Sequence, residues 1–420
     1  MKTLFMNIYD MTLKIYFGVI RLISSRHRKA RLMTEGRKGL LENLKEHRQP
    51  GDRYIWIHAS SLGEFEQGRP LIEKIKSQHP EYKICLTFFS PSGYEVRKDY
   101  KLADIVTYMP YDTSKELKSF INILAPEKVI FIKYEIWLNT MSYLKACNIP
   151  TYLISAIFRP SQIFFRPYGQ IFRDALKSYS WIFVQNEESL SLLKNIGIQK
   201  LSIAGDTRTD RVWDIKNNAQ SDDIVARFVE EAHNNDQVIL LAGSSWEQDE
   251  KVYLPACLKN DKIRTIIVPH EITEKHIRGI KESVPTDIKV GLHTQINSPE
   301  DSKNIDILVV DRMGLLSSLY KYVDIAYIGG GFGKGIHNIL EAAVYNLPIL
   351  FGPNFHRFME ANELIRRGAA FPIQNTEDVT KELQRLTDDI YRTKTGELSG
   401  EYIRSNLGST EIILRSIFER

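Results

Sequence analysis

Short runs of apolar residues recur along this chain, and segments with helical spacing separate them. The first series stands at residues 54–59, 84–89, 105–109, 129–132, 152–154 and 181–184. A second series stands at 238–242, 265–268, 307–310, 325–328 and 349–351. Continuous apolar runs between helical segments are typical of parallel strands that are buried on both faces. The pattern predicts two doubly wound, Rossmann-like α/β domains, and we interpret the polar segment 214–237 as the linker between them.

Length and composition agree with this division. A chain of 420 residues is long for a single core. Its net charge of +4 gives no reason to expect a nucleic-acid partner. Cys85, Cys147 and Cys257 form no C-x-x-C pair, which favours a reducing compartment and argues against disulfide or metal roles. Two doubly wound domains in one chain are typical of the GT-B architecture, with the active site in an interdomain cleft.

The N-terminus combines an apolar stretch with a basic cluster. Polar residues interrupt residues 1–23, and the longest apolar run, 15–20, is far shorter than the roughly 20 residues that span a bilayer. Arginine, lysine and histidine then dominate residues 26–31. An apolar helix beside such a cluster is typical of a segment that lies on an anionic membrane surface. The alternative is an ordinary first helix that packs on the domain.

A glycine-rich loop at 329–335 follows the apolar run 325–328, and a helix is predicted to open near Ile336. Glycines let backbone N–H groups approach an anion, and a helix N-terminus adds a favourable dipole. Asn338 and Glu341 are three residues apart and would share a helix face, where the carboxylate could accept both hydroxyls of a ribose. The alternative is a βαβ crossover whose glycines only allow tight packing.

A carboxylate, Glu64, follows the first apolar run in the segment WIHASSLGEFEQGRP. Ser61 and Glu64 fit the S-x-x-E capping box, so Glu64 could simply cap a helix. The other interpretation is a carboxylate at the carboxyl end of a strand, where the catalytic groups of such sheets collect.

Both segments resemble the Kdo transferases, which attach 3-deoxy-D-manno-octulosonic acid (Kdo) to the lipid A precursor. Residues 58–64 resemble the H-A-x-S-x-G-E motif, and residues 329–341 resemble GGHN-x-LEP, with Ala342 in place of the proline. The resemblance implies that Glu64 is the general base. It also implies that Ser60 and Gly63 shape the loop and offer donors to the acceptor sugar.

Three further acceptor-binding candidates come from weaker matches. Residues 134–139 resemble E-x-W-P-N and bring in Glu135, which could equally be a buried acid beside an arginine. Residues 205–210 resemble G-N-x-K-x-D, with Arg208 for the lysine. The family's R-L-S-x-R-S segment is poorly kept at 155–160, so Arg159 could supply its charge, with Arg166 and Arg173 as further sources. The alternative for these arginines is a solvated basic surface.

The resemblance also implies a donor site for CMP-Kdo in the C-terminal half. Ser244 and Ser245 lie in a segment that resembles the A-G-S-T strand end, and His270 stands where the family usually has P-R-H-P-E-R. The other donor-binding candidates are Gly330, Gly331, Gly333, Gly335, His337, Asn338 and Glu341. We expect no metal and no further cofactor, because the chain has no Asp-x-Asp motif and no cluster of His or Cys ligands.

The resemblance therefore implies an inverting transfer of Kdo from CMP-Kdo to lipid IVA, in lipopolysaccharide biosynthesis on the cytoplasmic face of the inner membrane. The predicted segments are a membrane-associated helix and basic segment at 1–34, an acceptor domain at 35–212, a CMP domain at 213–400, and a C-terminal helix at 401–420 that could pack back on the acceptor domain. Two alternatives stay open: a nucleotide-sugar 2-epimerase of similar architecture, and a non-catalytic, membrane-tethered sugar-nucleotide binding protein.

Overall fold

The computed structural model describes residues 2–133 and 135–419. Tyr134, the first residue of the segment that resembles E-x-W-P-N, lies outside the described residues. The chain divides into two compact units. The first unit contains the chain up to Asp210 and from Gly408 onward, and the second contains Arg211–Leu407.

The first unit is built on a seven-stranded parallel sheet with the strand order β3-β2-β1-β4-β5-β6-β7. Its strands are β1 Arg53–Ala59, β2 Tyr82–Phe88, β3 Ile105–Tyr108, β4 Pro126–Ile132, β5 Thr151–Ala156, β6 Trp181–Val184 and β7 Leu201–Ile203. Its helices are α1 Lys2–Ile23, α2 Arg28–Glu35, α3 Leu40–His47, α4 Leu62–Gln78, α5 Pro91–Arg97, α6 Ser114–Leu124, α7 Leu138–Ala146, α8 Gln170–Leu176, α9 Glu187–Asn195, the start of α10 Thr207–Asn217, and the C-terminal helix α19 Ser409–Phe418.

The second unit has a parallel sheet of the same size, with the order β10-β11-β9-β8-β12-β13-β14. Its strands are β8 Val238–Ser245, β9 Ile263–Pro269, β10 Val290–Leu292, β11 Ile307–Val309, β12 Ile325–Ile328, β13 Ile349–Phe351 and β14 Ala370–Pro372. Its helices are α11 Asp223–Asn234, α12 Glu247–Leu258, α13 Glu274–Glu282, α14 Leu316–Leu319, α15 Leu340–Ala343, α16 Met359–Arg367, α17 Thr376–Leu386 and α18 Asp389–Ser405.

The predicted pair of doubly wound sheets is confirmed, and every predicted apolar run lies on a strand. Strand β1 shows why. Tyr54 and Trp56 pack into the core on one face of the sheet, while Ile55 and Ile57 pack into the core on the other. Because helices cover both faces, successive residues are all apolar and the usual alternation disappears. The prediction missed β7, β10 and β14, which are three-residue strands at sheet edges, each with only one buried residue.

The interpretation of residues 214–237 as a linker is wrong. Helix α10 extends to Asn217, and α11 occupies most of the remainder. Four apolar side chains of α11 at helical spacing are buried: Val225, Phe228, Val229 and Ala232. Asp222 caps this helix by accepting the N–H of Val225 at 3.0 Å. The polar composition of the exposed face concealed an amphipathic helix that belongs to the core.

Helix α1 packs on the first unit along one face. Phe17 and Ile20 are buried, and the rings of Phe17 and Tyr111 lie 3.9 Å apart. The hydroxyl of Tyr9 donates to the buried carboxylate of Asp112 at 2.8 Å. The alternative of a packed first helix therefore holds for this face. Across the described residues, no helix has the length and apolar content that crossing a bilayer requires.

The C-terminal helix α19 also belongs to the first unit. Its buried side chains Ile413 and Ile417 join the core that contains Ile55 of β1. The carboxylate of Asp210 accepts the N–H of Gly408 at 2.7 Å and that of Thr410 at 2.6 Å, at the start of this helix. Asp210, the last residue of the segment that resembles G-N-x-K-x-D, therefore fixes the start of α19.

Replacing Asp210 by alanine should loosen α19. The substitution leaves two backbone N–H groups without their charged acceptor, so the free energy of local unfolding should fall by about 1–3 kcal/mol. Amide hydrogen exchange over 409–418 should then accelerate on the order of 10- to 100-fold. Asp99→Ala, at an exposed acid of the same unit, is the control. Unchanged exchange in Asp210→Ala would mean that core packing alone holds α19 in place.

Candidate active site

The candidate residues collect at one point of each sheet. In the first sheet, β1 lies between β2 and β4, and the strand order reverses there. In the second sheet the reversal lies between β8 and β12. Connections leave opposite faces of a sheet at such a point, so a crevice opens at the carboxyl ends of the strands. Glu64 follows β1, Glu135 follows β4, Ser244 ends β8, and the glycine loop follows β12.

Glu64 takes part in capping and is also a buried acid. It is the third residue of α4, and its Oε2 accepts the N–H of Ser61 at 3.1 Å. Its side chain is only 8% exposed. Of the two interpretations of the S-x-x-E segment, the structure therefore contains the capping contact together with a desolvated carboxyl group at the carboxyl end of a central strand.

The surroundings of Glu64 favour its protonated form. Burial, and then the negative charge of Glu135, raises the pKa of Glu64 to about 7, whereas Lys133 and the N–H groups of Ser60 and Ser61 act in the opposite direction. A carboxyl group with this pKa can take up and release a proton near neutral pH, as a general base must.

Glu135 has donors around it that keep it ionised. Its Oε2 accepts the indole N–H of Trp137 at 2.6 Å and lies 3.7 Å from Nε2 of His58. Burial alone would raise the pKa of Glu135, but hydrogen bonding and the charge of His58, with the contributions of Ser60 and Trp137, lower it. The alternative of a buried acid beside an arginine does not describe this environment, since the close basic group is His58.

Ser60 and Gly63 lie on the same loop but differ in their contacts. The hydroxyl of Ser60 is 3.5 Å from Nε2 of His58, and its carbonyl accepts the N–H of Ser90 at 2.9 Å. Gly63 is exposed, and a Cβ added to it would meet nothing within 4 Å. Contacts on two sides therefore fix Ser60. At Gly63 neither the backbone conformation nor the surrounding space requires a glycine.

The predicted acceptor-binding arginines have different environments. Arg159 is exposed after β5, with its backbone N–H bound to Gln162. Arg208 makes a forked hydrogen-bonded ion pair with the carboxylate of Asp206, so part of its charge is neutralised within the protein. Arg173 donates to the carbonyls of Phe164, Arg166 and Pro167 and braces that loop. Arg173, one of the arginines proposed to supply the charge of segment 155–160, therefore has a structural role.

Backbone strain accompanies these strand ends. Lys133 after β4, Ser155 in β5 and Ser244 in β8 have φ angles of 69°, 51° and 52°. Residues other than glycine rarely adopt this left-handed backbone conformation, which costs about 1–3 kcal/mol for each residue. Such strain collects at binding and catalytic sites.

The glycine loop is packed tightly between neighbouring segments. Gly330 has a φ of 89°, and a Cβ at Gly331 would lie 2.5 Å from the backbone nitrogen of Gly352. The N–H groups of Gly333 and Gly335 both donate to the carbonyl of Gly330. These glycines are therefore needed for the fold of the loop, as the packing alternative proposed.

The buried carboxylate of Asp249 anchors the glycine loop through hydrogen bonds. Asp249 is 1% exposed, and its Oδ2 accepts the N–H groups of Gly330 at 2.8 Å and Trp246 at 3.0 Å. The hydroxyl of Tyr327 donates to its other oxygen at 3.2 Å. The N–H of Gly330, which the sequence analysis offered to an anionic ligand, is already bound to a protein carboxylate.

The predicted helix at Ile336 is wrong. Helix α15 begins only at Leu340 and has four residues, so His337 and Asn338 precede it. The N–H of His337 donates to the carbonyl of Gly329, which turns the chain back on the loop. The side-chain oxygen of Asn338 accepts the N–H of Leu340 at 3.2 Å. A helix this short provides little of the dipole that we expected to attract a phosphate.

The expectation that Asn338 and Glu341 share a helix face is wrong, because Asn338 precedes α15, but their side chains are in contact. The Asn338 amide donates to Oε1 of Glu341 at 2.9 Å, and the Ser317 hydroxyl donates to Oε2 at 2.8 Å. These two hydrogen bonds fix the orientation of the Glu341 carboxylate.

Three aromatic rings stack beside the glycine loop. His270 lies 4.5 Å from Trp246 and 4.3 Å from His337 between ring centroids. Trp246 Nε1 donates to Nε2 of His337 at 3.1 Å, so that nitrogen carries no proton. Burial, and then the proximity of His270, lowers the pKa of His337 to about 4, and burial lowers the pKa of His270. Both rings are neutral at neutral pH.

The two serines at the end of β8 differ in their availability. Ser245 is fully buried, and its hydroxyl donates to Glu250 at 2.8 Å. Ser244 is partly exposed. A Cβ added to Gly329 would lie only 2.2 Å from the carbonyl oxygen of Ser244. Ser244 therefore borders the glycine loop, whereas the side chain of Ser245 serves the protein interior.

Sequence reasoning singled out neither His58 nor Asp249. His58 is fully buried in β1, and its Nδ1 lies 2.9 Å from the Thr87 hydroxyl. A histidine inside an otherwise apolar strand was a visible signal. Asp249 carried no such signal, because its partner Gly330 lies 81 residues away in sequence. The expectation that no metal or further cofactor takes part stays a prediction.

Replacing Glu64 by glutamine should stabilise the protein at alkaline pH. The folded pKa of about 7 exceeds the ordinary value of 4.5, so the contribution of this carboxyl to stability is fully present below about pH 4.5 and declines as the pH rises to 7. At pH 8 Glu64→Gln should raise the free energy of unfolding by about 1–3 kcal/mol, and at pH 5 by clearly less. Denaturant unfolding at both pH values, with Glu73→Gln of the same helix as control, measures the difference. An effect that does not change with pH would contradict the buried-acid interpretation.

Comparisons with known proteins agree with this arrangement. UDP-GlcNAc 2-epimerase from Neisseria meningitidis superposes with a TM-score of 0.59 at 15% identity, over 87% of this chain and 100% of that one. MurG from Acinetobacter baumannii superposes with a TM-score of 0.57 at 12% identity, over 88% and 100%. At these identities the likeness concerns the fold alone, and it confirms the GT-B prediction.

Sequence similarity is more specific. Residues 31–211 match the family described as 3-Deoxy-D-manno-octulosonic-acid transferase (kdotransferase). A 3-deoxy-D-manno-octulosonic acid transferase of Rickettsia bellii (strain RML369-C) is 30% identical over 354 residues, which cover 82% of each chain. Together with the motif around Glu64, these matches confirm the resemblance: the chain belongs to the Kdo transferase family of glycosyltransferases.

Proposed function

We propose that the protein transfers Kdo from CMP-Kdo to a hydroxyl group of a lipid A precursor such as lipid IVA, with inversion at the anomeric carbon. The observation that carries this proposal is the buried carboxyl group of Glu64, at the carboxyl end of β1 in a chain of the Kdo transferase family. The relatives' names supply Kdo as the transferred group. Neither alternative function has a structural observation of its own.

The proposed reaction is a single displacement. The acceptor oxygen forms a bond to the anomeric carbon of Kdo while the bond from that carbon to the CMP phosphate breaks, and CMP leaves with the bonding electrons. Attack from the face opposite CMP inverts the configuration. The hydroxyl proton passes to Glu64, so Glu64 must be ionised beforehand. Because the pKa of Glu64 is about 7, the active fraction should increase as the pH rises through neutrality.

The donor nucleotide would bind at the second switch point, between β8 and β12. The carboxylate of Glu341 would accept the ribose hydroxyls, and Asn338 holds this carboxylate in position. Ser244 borders the glycine loop at the place proposed for the phosphate. We include no metal ion in this proposal, and side chains would compensate the charge of the departing CMP.

The lipid acceptor would be met at the cytoplasmic face of the inner membrane, on which α1 would lie. Its outward apolar residues are Phe5, Ile8, Met11, Ile15, Val19 and Leu22, each between 40% and 79% exposed. At 3.6 residues per turn they fall within about 120° of arc, opposite the buried Phe17 and Ile20. The charged residues of the basic cluster 26–31 are also exposed. We call this set of six side chains the apolar stripe, and together with the basic cluster it suits an anionic lipid surface.

A transfer assay tests the proposed reaction. The full chain, incubated with CMP-Kdo and a tetraacylated lipid A precursor, should release CMP and form the Kdo-lipid product. Glu64→Gln should reduce the rate about 10²- to 10⁴-fold, because the acceptor proton loses its base, while CMP binding is retained.

The control for this assay is Glu73→Gln, a partly exposed acid that pairs with Arg69 on the same helix and should keep wild-type turnover. A folded Glu64→Gln protein with wild-type turnover would show that Glu64 only caps α4. Epimerised sugar nucleotide without lipid product would identify an epimerase, and CMP binding without either product would identify a binding protein.

Two substitutions on the apolar stripe test the membrane contact. Wild-type protein should sediment with phosphatidylglycerol vesicles and be partly released by high salt, since each basic residue near the surface contributes about 1 kcal/mol. Ile15→Asp with Leu22→Asp should reduce sedimentation severely, because both residues are at least 60% exposed and play no part in packing. Val96→Asp, on α5 and 57% exposed, is the matched control. Equal sedimentation of all three proteins would place the membrane contact elsewhere.

A further inference from the structure

The two histidines of the proposed donor site supply no positive charge for the phosphate of CMP. The arginine of the family's P-R-H-P-E-R segment is absent from this chain, which has Pro269, His270 and Glu271 there. Burial lowers the pKa values of His270 and His337, and the Trp246 indole donates to an unprotonated nitrogen of His337. These imidazoles can accept or donate hydrogen bonds, but they bring no net charge at neutral pH.

The backbone of the glycine loop offers less than its sequence indicates. The N–H groups of Gly330, Gly333, Gly335 and His337 donate to acceptors within the protein. The acceptor for Gly330 is the carboxylate of Asp249, which adds negative charge beneath the loop. A cationic side chain beside the loop would offset this negative charge and add hydrogen-bond donors for a phosphate.

Arg357 stands where such a cation is needed. It is exposed on the connection between β13 and α16, and its Nη2 donates to the carbonyl of Lys334 in the glycine loop. A Cβ on Gly335 would lie 2.7 Å from that same nitrogen, so the guanidinium lies directly against the loop. Its Cζ is 5.4 Å from the ring centroid of Phe358, which supports the side chain from one side.

The remaining donors of this guanidinium are available. Among the contacts within the described parts of the chain, the bond to Lys334 is its one protein hydrogen bond. An arginine has five N–H donors in a planar fork that matches two oxygens of a phosphate. The exposed ammonium group of Lys334 is a neighbouring charge on the loop itself, but it lacks this geometry.

We infer that Arg357 binds the phosphate group of the donor nucleotide and takes the place of the arginine that the family usually carries near residue 270. The inference rests on the proposed function, since it assumes a nucleoside monophosphate at the glycine loop. It adds a specific residue to that function: the loop supplies a rigid surface against which the guanidinium of Arg357 holds the phosphate.

Calorimetric titration with CMP and with cytidine tests this role, because the two ligands differ only in the phosphate. Wild-type protein should bind CMP with a clearly higher affinity than cytidine. Arg357→Gln should weaken CMP binding about 10- to 100-fold, as expected for loss of hydrogen bonds to a charged group, and leave cytidine binding unchanged. Arg357→Lys should recover part of the loss. Arg366→Gln, which removes an exposed charge that pairs with Glu363 on α16, should bind both ligands like the wild type.

The outcomes separate this inference from the proposed function. If the wild type binds CMP and Arg357→Gln binds it equally well, the inference is overturned while the proposed function stands. If Arg357→Gln loses affinity for CMP and cytidine alike, Arg357 supports the shape of the pocket and does not bind the phosphate. If the wild type binds no CMP, the proposed function itself is overturned, and this inference falls with it.

Discussion

Strand order decides where chemistry can lie in each unit. The connections that follow β1 and β4 leave the first sheet toward opposite faces, which opens a crevice at the carboxyl ends of these two central strands. Glu64 and Glu135 are brought together by this arrangement, although 71 positions separate them along the chain, by the difference of their numbers. The same reversal between β8 and β12 brings Ser244 to the glycine loop. In both sheets, the order of the parallel strands therefore brings together residues that are distant in sequence.

A chain of hydrogen bonds beneath Glu64 explains its unusual environment. The Trp56 indole can only donate, and it donates to the Thr87 hydroxyl at 2.8 Å. The Thr87 hydroxyl lies 2.9 Å from Nδ1 of His58, and Nε2 of the same ring lies 3.7 Å from the carboxylate of Glu135. Against the effect of burial, His58, Ser60 and Trp137 lower the pKa of Glu135, whereas burial, and then the negative charge of Glu135, raises the pKa of Glu64. The buried acid costs stability, as expected where a fold maintains a reactive group.

The sequence predicted those features of the fold that depend on a local pattern of apolar and polar residues. Central strands were recognised because burial on both faces makes every residue apolar, whereas edge strands such as β14 lack that signal. The S-x-x-E segment allowed both roles of Glu64 without deciding between them, since its raised pKa depends on burial and on the charge of Glu135, which is distant in sequence. The helix expected at Ile336 failed for a similar reason: a tertiary hydrogen bond from His337 to Gly329 replaces the first helical turn.

The carboxylate of Asp249 gives the glycine loop a different character from a phosphate-binding loop that relies on its backbone. A buried acid needs donors, and the N–H groups of Gly330 and Trp246 with the Tyr327 hydroxyl provide them, which fixes the loop before any ligand arrives. The same contacts remove those N–H groups from anion binding and place negative charge nearby. A loop built in this way gains rigidity and loses electrostatic attraction. Cationic side chains at the edge of the loop can restore the attraction that an anion needs, because they bring both charge and hydrogen-bond donors.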